Sequence, residues 1–536
     1  MAESSLEIAR LLVNCGAEPN VTDDEGHTPL HAAARSGYRD IAELLVGSGA
    51  SHDVQNKKQQ TPLHVACRTG KLDVLRFLIF RGSDINSRDN RGDVPLHMTS
   101  QFGYVEAARQ LLDCGSDVNA RGANHCTPLH FASRHGHLDL ARLLIDRGAD
   151  VNAQEADRYT PMHSASYSGH IDIVKSLVEH GADVDSRDNK KKTPLDYAAM
   201  YGFLDIARFL IEWGATMSAR DNQGRTPFHT ASARGHLHLV KFLLECGVDV
   251  NIRNGIGETS LHLASGRGKV DVVRFLIEHG ADTNIEDNNG SNPLHIASQN
   301  GYLDVVRLLI DTGTSVDIRN GTQSTPLALA SCEGNVQVVR FLIGRGADIN
   351  ARDNGSWAPL HFASEYGHVD TAQLLLDHGA DLNIQRNDLW SPLHLASASG
   401  HLKVTELLVE RGASIDVFND KQETPLFQTV KNGNVAVVRL LIDHGANLDT
   451  VDNNGWTLLH TASHSGHLGV VKLLLRQGAN VNMVNKANKT AAELASENGK
   501  AEVAKFLAEY KADVNVRRNV WLTTLDPAQD GADENG

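Results

Sequence analysis

Of 536 residues, 41% are apolar, only 5% are aromatic and 46 are glycine; this is too apolar for a disordered chain and too poor in aromatics for the three or four packed domains that such a length suggests. The formal charge of −15 argues against a general nucleic-acid binder, and no apolar run approaches the roughly 20 residues that cross a bilayer. Met1 to Glu7 lack the basic and apolar stretches of a secretory leader, and six cysteines without a CxxC point to a reducing compartment, cytoplasm or nucleus.

From the N-terminus, residues 1–20 supply one amphipathic helix and a turn, an incomplete unit whose apolar side (Leu6, Ile8, Leu11, Leu12) lacks a partner helix. A tetrapeptide then recurs, first as Thr28-Pro29-Leu30-His31 and next as Thr61-Pro62-Leu63-His64. Its first position falls at 28, 61, 94 and onward to 490, every step 33 residues, with no insertion across 14 steps. That position is Thr, Ser or Asn in 13 of 15 units, Val94 and Ala358 being the exceptions, and 12 of the 14 prolines follow it directly. A hydroxyl or amide before proline is an N-cap before the first helical residue, so a short helix is expected to start there.

Five positions later comes Ala in 13 units, small enough for helices to approach closely. Nine positions after the cap comes Gly in all 15 units, from Gly37 to Gly499, the left-handed stop of that helix. A second amphipathic helix follows, as over Leu138 to Ile145, with an acid in its first turn and a base three residues on, placed for the dipole and for i,i+3 pairing. Gly closes it in 14 units, and Ala-Asp-Val-Asn with a polar turn leads to the next cap. The last unit replaces Pro-Leu-His with Ala491-Ala492-Glu493 and the closing Gly with Lys511, the more polar character of a terminal cap. From residue 517 an acidic tail follows, expected to be disordered, with Trp521 to Leu525 as a weak docking candidate.

These motifs resemble the ankyrin repeat family: Thr-Pro-Leu-His, Gly-His-Leu-Asp as at Gly136 to Asp139, and Gly-Ala-Asp-Val-Asn as at Gly148 to Asn152. The resemblance covers 15 repeats over residues 21–516. It implies a mainly α fold, a solenoid of helix–turn–helix units with β-hairpin loops, stacked into a curved superhelix whose core runs continuously between neighbours. It also implies that the tetrapeptide histidines bond to neighbouring turn backbone.

Motifs for chemistry are missing: there is no GxxxxGK[ST], HExxH or GxSxG, and Gly255-Ile256-Gly257 lacks the strand-to-helix setting of a dinucleotide fingerprint. Of 27 histidines, 11 occupy the tetrapeptide, six follow the first-helix Gly and four precede the second-helix Gly, so the period rather than a ligand cluster sets their places. Cys15, Cys114 and Cys246 share one slot in different repeats, too far apart to pair. No catalytic residue, cofactor or metal is expected.

If the framework serves stacking, recognition falls to the positions free to vary. In the family these are the loop and the end of the first helix, at −6, −4, −3, −1, +7 and +8 from the cap. Their charge totals +11 over repeats 1 to 8 and −1 over repeats 9 to 15, against −25 for the rest of the chain. The −6 slot carries a ladder of Arg88, Arg121, Arg187, Arg220, Arg253, Arg319 and Arg352. Arginine presents a planar fork for carboxylates and phosphates. Aspartates at −5 (Asp89, Asp188, Asp221, Asp353) leave a second reading, in which acid–arginine pairs neutralise the ladder and serve only stacking. Later in the chain Trp357, Trp390 and Trp456 hold the −1 slot, which Tyr159 holds earlier, and Phe418 replaces arginine at −6. These aromatics are either an interface hot spot or scaffold packing.

The leading expectation is a non-enzymatic scaffold or adaptor, monomeric unless the open N-terminal end pairs. It would hold protein partners in the concave groove, with acidic segments over repeats 2 to 8 and an apolar anchor over repeats 11 to 14. Two competing readings are a recognition segment of a larger enzyme, receptor or ubiquitin-ligase-type substrate adaptor, and polyanion or nucleic-acid binding by the basic groove. The acidic remainder of the chain and the scarcity of interleaved aromatics oppose the latter.

Overall fold

The computed structural model describes residues 2–511. The acidic tail and its Trp521 to Leu525 segment lie outside them. The described residues form two compact units, one of residues up to 264 with 271–281, the other of 265–270 with those from 282 onward. In the first unit, first helices such as Pro62–Thr69, Pro95–Phe102 and Pro128–His135 each pack on the first helix of the next repeat. Their second helices, Leu72–Phe80, Val105–Asp113 and Leu138–Asp146, pack in a parallel layer. The second unit repeats this two-layer order, from Pro293–Gln299 and Leu303–Asp311 to Leu458–Ser465 and Leu468–Arg476. A further helix covers 501–511.

Why each first helix starts where it does is visible atom by atom. Thr28 sits in extended backbone (φ −86, ψ 166), Pro29 follows with its ring preset for helix, and the Thr28 hydroxyl accepts from the His31 N–H. The histidine answers: its Nδ1 accepts the Thr28 N–H at 3.1 Å, a capping box in which imidazole replaces the usual glutamate. Val94 and Ala358 lack the hydroxyl, yet the imidazole half survives, with Val94 N–H to His97 Nδ1 and Ala358 N–H to His361 Nδ1 both at 3.0 Å. Gly37 ends the helix in left-handed backbone (φ 83, ψ 22). Leu30, Leu63, Leu96 and Leu129, the third letters of the tetrapeptide, are wholly buried, and so are Val74, Leu75 and Leu78 on a second helix.

Two histidine systems join neighbouring repeats. The tetrapeptide ring reaches forward from its Nε2, His31 to the Gln60 carbonyl at 2.9 Å and His130 to the Tyr159 carbonyl at 3.0 Å in the first unit, His394 to the Glu423 carbonyl at 3.1 Å in the second. The histidine after the first-helix glycine reaches back, His236 Nε2 to the Met200 carbonyl at 3.0 Å and His401 Nε2 to the Glu365 carbonyl at 2.9 Å. The second-helix acid–base pairing expected at i,i+3 forms between Glu106 and Arg109 at 3.5 Å, but Asp139 and Arg142 are not among the ion pairs of the described residues. Other guanidinium groups cross to the preceding repeat, Arg147 to Asp113 at 2.7 Å and Arg345 to Asp311 at 2.7 Å.

The loops are tight turns with little strand pairing. Among the described residues the ladder is reduced to isolated bridges, Arg253 with Thr259, Val451 with Thr457 and Val484 with Thr490. The reason is a tight turn closed by two main-chain bonds, as from Asp89 N–H to the Asp93 carbonyl (2.9 Å) and from Gly92 N–H to the Asp89 carbonyl (2.8 Å). The residue at −2 takes positive φ whether it is Gly92 (82°), Arg158 (63°) or Leu389 (60°), the left-handed position that such a turn uses. Loop tips are stitched by backbone, Asn90 N–H to the Lys58 carbonyl and Asn222 N–H to the Lys190 carbonyl at 3.0 Å.

A Cβ at Gly202 would lie 2.5 Å from the His236 ring, at a residue already held at φ +78, whereas one at Gly214 (φ +89) meets nothing within 4 Å. Gly202→Ala is therefore expected to lower unfolding free energy by about 2–4 kcal/mol and Gly214→Ala by about 1 kcal/mol, read from denaturant midpoints. Stability also depends on pH through the buried histidines. An imidazole whose Nδ1 accepts a cap N–H is neutral, and burial pushes His130, His229, His361 and His394 down to about 4. Unfolded rings titrate near 6.5, so between about 6.5 and 4 the unfolded chain binds more protons and stability falls as pH falls. Near pH 5 each of these rings is expected to cost about 2 kcal/mol relative to neutral pH, seen as a lower urea midpoint with unchanged slope.

Candidate functional site

The −4, −3, −1, +7 and +8 positions meet on one face. In the first unit they line a cleft of about 360 Å³ between loop residues such as Lys58 and Arg91 and first-helix ends such as Arg68 and Phe102. In the second they line one of about 350 Å³ between Lys421 and Trp456 on the loops and Lys431 and His464 on the helix ends. The backbone at these loop tips is spent on stitching, so their side chains are left to face outward.

The arginine ladder takes a different course. Its side chains are exposed and run along the stack. Arg88 Nη1 donates to the Gly92 carbonyl at 2.8 Å and the Arg121 carbonyl at 2.6 Å; Arg121 Nη1 reaches the Gln154 carbonyl at 3.0 Å. Arg187 touches the Arg220 carbonyl at 3.5 Å, Arg220 the Arg253 carbonyl at 2.7 Å, and Arg253 Nε the Gly257 carbonyl at 3.0 Å. In the second unit Arg319 donates to the Arg352 carbonyl at 2.7 Å and Arg352 to the Gln385 carbonyl at 3.2 Å. No ion pair among the described residues involves Arg88, Arg121, Arg187, Arg220, Arg319 or Arg352.

The aspartates beside the ladder turn away from it. Asp89 Oδ1 accepts from the Arg91 and Asp93 N–H groups at 2.9 and 3.0 Å, Asp188 Oδ1 from Lys190 and Lys192 at 2.8 Å each, and Asp221 Oδ1 from Gln223 and Arg225 at 2.8 and 2.9 Å. Asp353 does the same for Gly355 and Trp357. These carboxylates pin the turn that ends at the −1 residue. The acid–arginine pairing left open by the sequence is thus replaced by two separate jobs. The Asx character of the −5 slot, Asp23 or Asn56 as readily as Asp89, was the available clue: an amide serves a turn as well as a carboxylate does, but cannot neutralise an arginine.

The aromatic residues fall into three groups. Tyr159 belongs to a cluster absent from the sequence reading, with Tyr167, Tyr197 and Tyr201 on the first-helix side. Tyr159 and Tyr197 rings lie 5.2 Å apart with their hydroxyls bonded, and Tyr197 donates to Asp188 Oδ2 at 2.7 Å. Tyr167 packs edge-on to Tyr201 at 4.8 Å, and both remain exposed. The signal in the sequence is Tyr167 at +7 and Tyr201 at +8, two of the recognition offsets, whereas Tyr197 at +4 lies outside them. Trp357 and Trp390 are half-buried and share one cation: the Arg386 guanidinium lies 4.3 Å from the first ring and 5.6 Å from the second, and also pairs with Asp388. Trp357 stacks further on Phe362 at 4.8 Å. Trp456 stands apart, edge-on to His464 at 4.9 Å in the second cleft, and Phe418 is 41% exposed. The four later aromatics are therefore not brought to one point.

Groups that elsewhere carry acid–base or metal chemistry are committed here. The tetrapeptide imidazoles use both nitrogens on backbone, and among the described residues no three His, Cys, Asp or Glu side chains converge as a metal site. Asp196, which replaces histidine in its repeat, is buried, pushed up to about 7, and bonded to the Thr193 N–H at 2.9 Å. The six cysteines are free thiols. No helix among the described residues is long and apolar enough to cross a membrane.

A family profile described as Ankyrin repeats (3 copies) matches the chain in overlapping stretches, 1–89, 78–155, 152–221, 185–254, 228–320, 282–353, 327–419, 393–485 and 448–518. No curated protein matches the chain. Together with the 33-residue helix pairs, the imidazole-closed caps and the stitched loop tips, the profile places this chain in the ankyrin-repeat family.

Proposed function

We propose that this chain is a non-enzymatic scaffold or adaptor of a reducing compartment, cytoplasm or nucleus. It binds acidic partner segments along the loop tips and first-helix ends of repeats 2 to 8. Ankyrin repeats are protein–protein interaction modules, which supports the general role. The observation that carries the acidic preference is the inward turn of Asp89, Asp188 and Asp221 onto backbone N–H groups, beside guanidinium groups that meet carbonyls rather than acids. A ladder arginine with one Nη1 on a carbonyl still offers the rest of its fork to an incoming carboxylate. The exposed Tyr167 and Tyr201 rings add apolar contact beside this row. An apolar anchor in the second unit belongs to Trp456, whose cleft also presents Lys421 and Lys431; Trp357 and Trp390 act through the cation they share.

The test is affinity capture at physiological salt with the wild-type chain and two variants. Charge reversal of Arg187, Arg220 and Arg253 to Glu is expected to weaken a captured partner by about tenfold or more and to flatten its salt dependence. Replacing the same three by Gln, which keeps a donor for the neighbouring carbonyls, separates lost stacking from lost charge. Capture unchanged by charge reversal overturns the acidic-partner reading. Trp456→Ala is expected to weaken a second-unit partner without altering its salt dependence.

A further inference from the structure

We propose that the cleft shared by the second, third and fourth repeats is a docking subsite for an acidic peptide segment carrying one bulky apolar side chain. This rests on the protein-binding role above and assigns that role one address and one ligand chemistry. The cleft holds about 360 Å³, at the small end of ligand pockets of roughly 300–1,000 Å³, which suits a side chain on an extended segment. Its floor is apolar: Met98, 6% exposed, the half-buried Phe131, and Phe102, 43% exposed on the rim. Around that floor stand three cations from two successive loops and one helix end, Lys58, Arg91 and Arg68. None of the three is in an ion pair among the described residues. Their one side-chain hydrogen bond among the described residues is to a neutral group, Arg68 Nη1 to Gln60 Oε1 at 3.4 Å.

Two acids also line the cleft, and both are withdrawn from it. Asp89 is 5% exposed and caps its own turn through the Arg91 and Asp93 N–H groups, with its second oxygen accepting from Gln60 Nε2 at 3.3 Å. Asp93 is 3% exposed, and its Oδ1 crosses to the next repeat to accept the Ala123 N–H at 2.9 Å. That crossing depends on a break in the repeat pattern. The −5 slot of the fourth repeat is Gly122 instead of Asp or Asn. With no side chain to cap its own turn, the loop borrows Asp93, and a Cβ at Gly122 would lie 2.0 Å from that oxygen. The local loop is correspondingly different, a short 3-10 turn over Ala123–His125. The departure therefore holds one acid down on backbone while the cations above it stay unpaired. An apolar floor ringed by unpaired cations, its own acids spent on backbone, is complementary to an apolar side chain flanked by carboxylates.

Fluorescence polarisation on the full chain tests this, with a fluorescein-labelled peptide of one phenylalanine between two runs of glutamate. Two control peptides replace the phenylalanine by serine or the glutamates by glutamine. The parent peptide is expected to bind, and each control to bind about tenfold more weakly or worse. The K58E/R91E double variant and Phe102→Ala, both at exposed positions and checked by thermal melting, are expected to cause similar losses. The R187E/R220E/R253E variant, changed outside the cleft, is expected to leave this peptide bound. No binding of the parent overturns the proposal. So does equal binding of the serine control, or equal competition by single-stranded DNA of matched charge, since the cleft would then read charge alone. If the cleft variants change nothing and the R187E/R220E/R253E variant releases the peptide, the address is wrong and the wider acidic-partner reading stands. If neither set changes binding, both fall.

Discussion

One bonding arrangement underlies each unit: an imidazole that accepts a cap N–H with one nitrogen and donates to the next repeat's carbonyl with the other. It closes a local helix start and an inter-repeat contact with a single side chain, so neither forms well without its neighbour. Thr28 and His31 illustrate the logic, with the cap bond inside the repeat and the Gln60 carbonyl outside it. A cap is worth about 1 kcal/mol in isolation; tied to a buried bond across repeats, it makes secondary structure and stacking cooperative. The reverse clasp from His236 to the Met200 carbonyl adds the opposite direction, and its ring fills the space that a glycine in the preceding repeat leaves open.

Much of this was legible in the sequence because it repeats. Proline after threonine, glycine nine residues on and a histidine at a fixed offset each name a local geometry, and the constant 33-residue step names the stack. Less was legible where a residue type serves two purposes. The −5 aspartates stand next to arginines in the chain, and adjacency suggested pairing. In space the two side chains part, one curling under the turn and the other running along the stack. The turn geometry was hidden for a similar reason: the left-handed residue at −2, including Arg158 and Leu389, is not announced by a glycine. Nothing in the letter alone says that Leu389 adopts φ 60.

The places where pattern breaks are the informative ones. Twelve repeats carry Asp or Asn at −5; the exceptions are Gly122, Glu155 and Arg386. Gly122 diverts Asp93 from the first cleft. Glu155 accepts from the Cys126 thiol at 2.7 Å and meets Arg134 at 3.6 Å. Arg386 slides between two tryptophans. Each exception exchanges a turn-pinning group for something that reshapes the exposed face, and each is invisible to a consensus view that treats the slot as noise.

The forward imidazole bond also restricts how such a chain can change its length. Every donor finds its acceptor one period away, so gain or loss of a whole period recreates the same junction at the seam. Any other increment strands a buried imidazole on one side and a bare carbonyl on the other. Duplication and deletion in whole blocks is thus the route by which this architecture can grow or shrink without meeting an energetic barrier at each event.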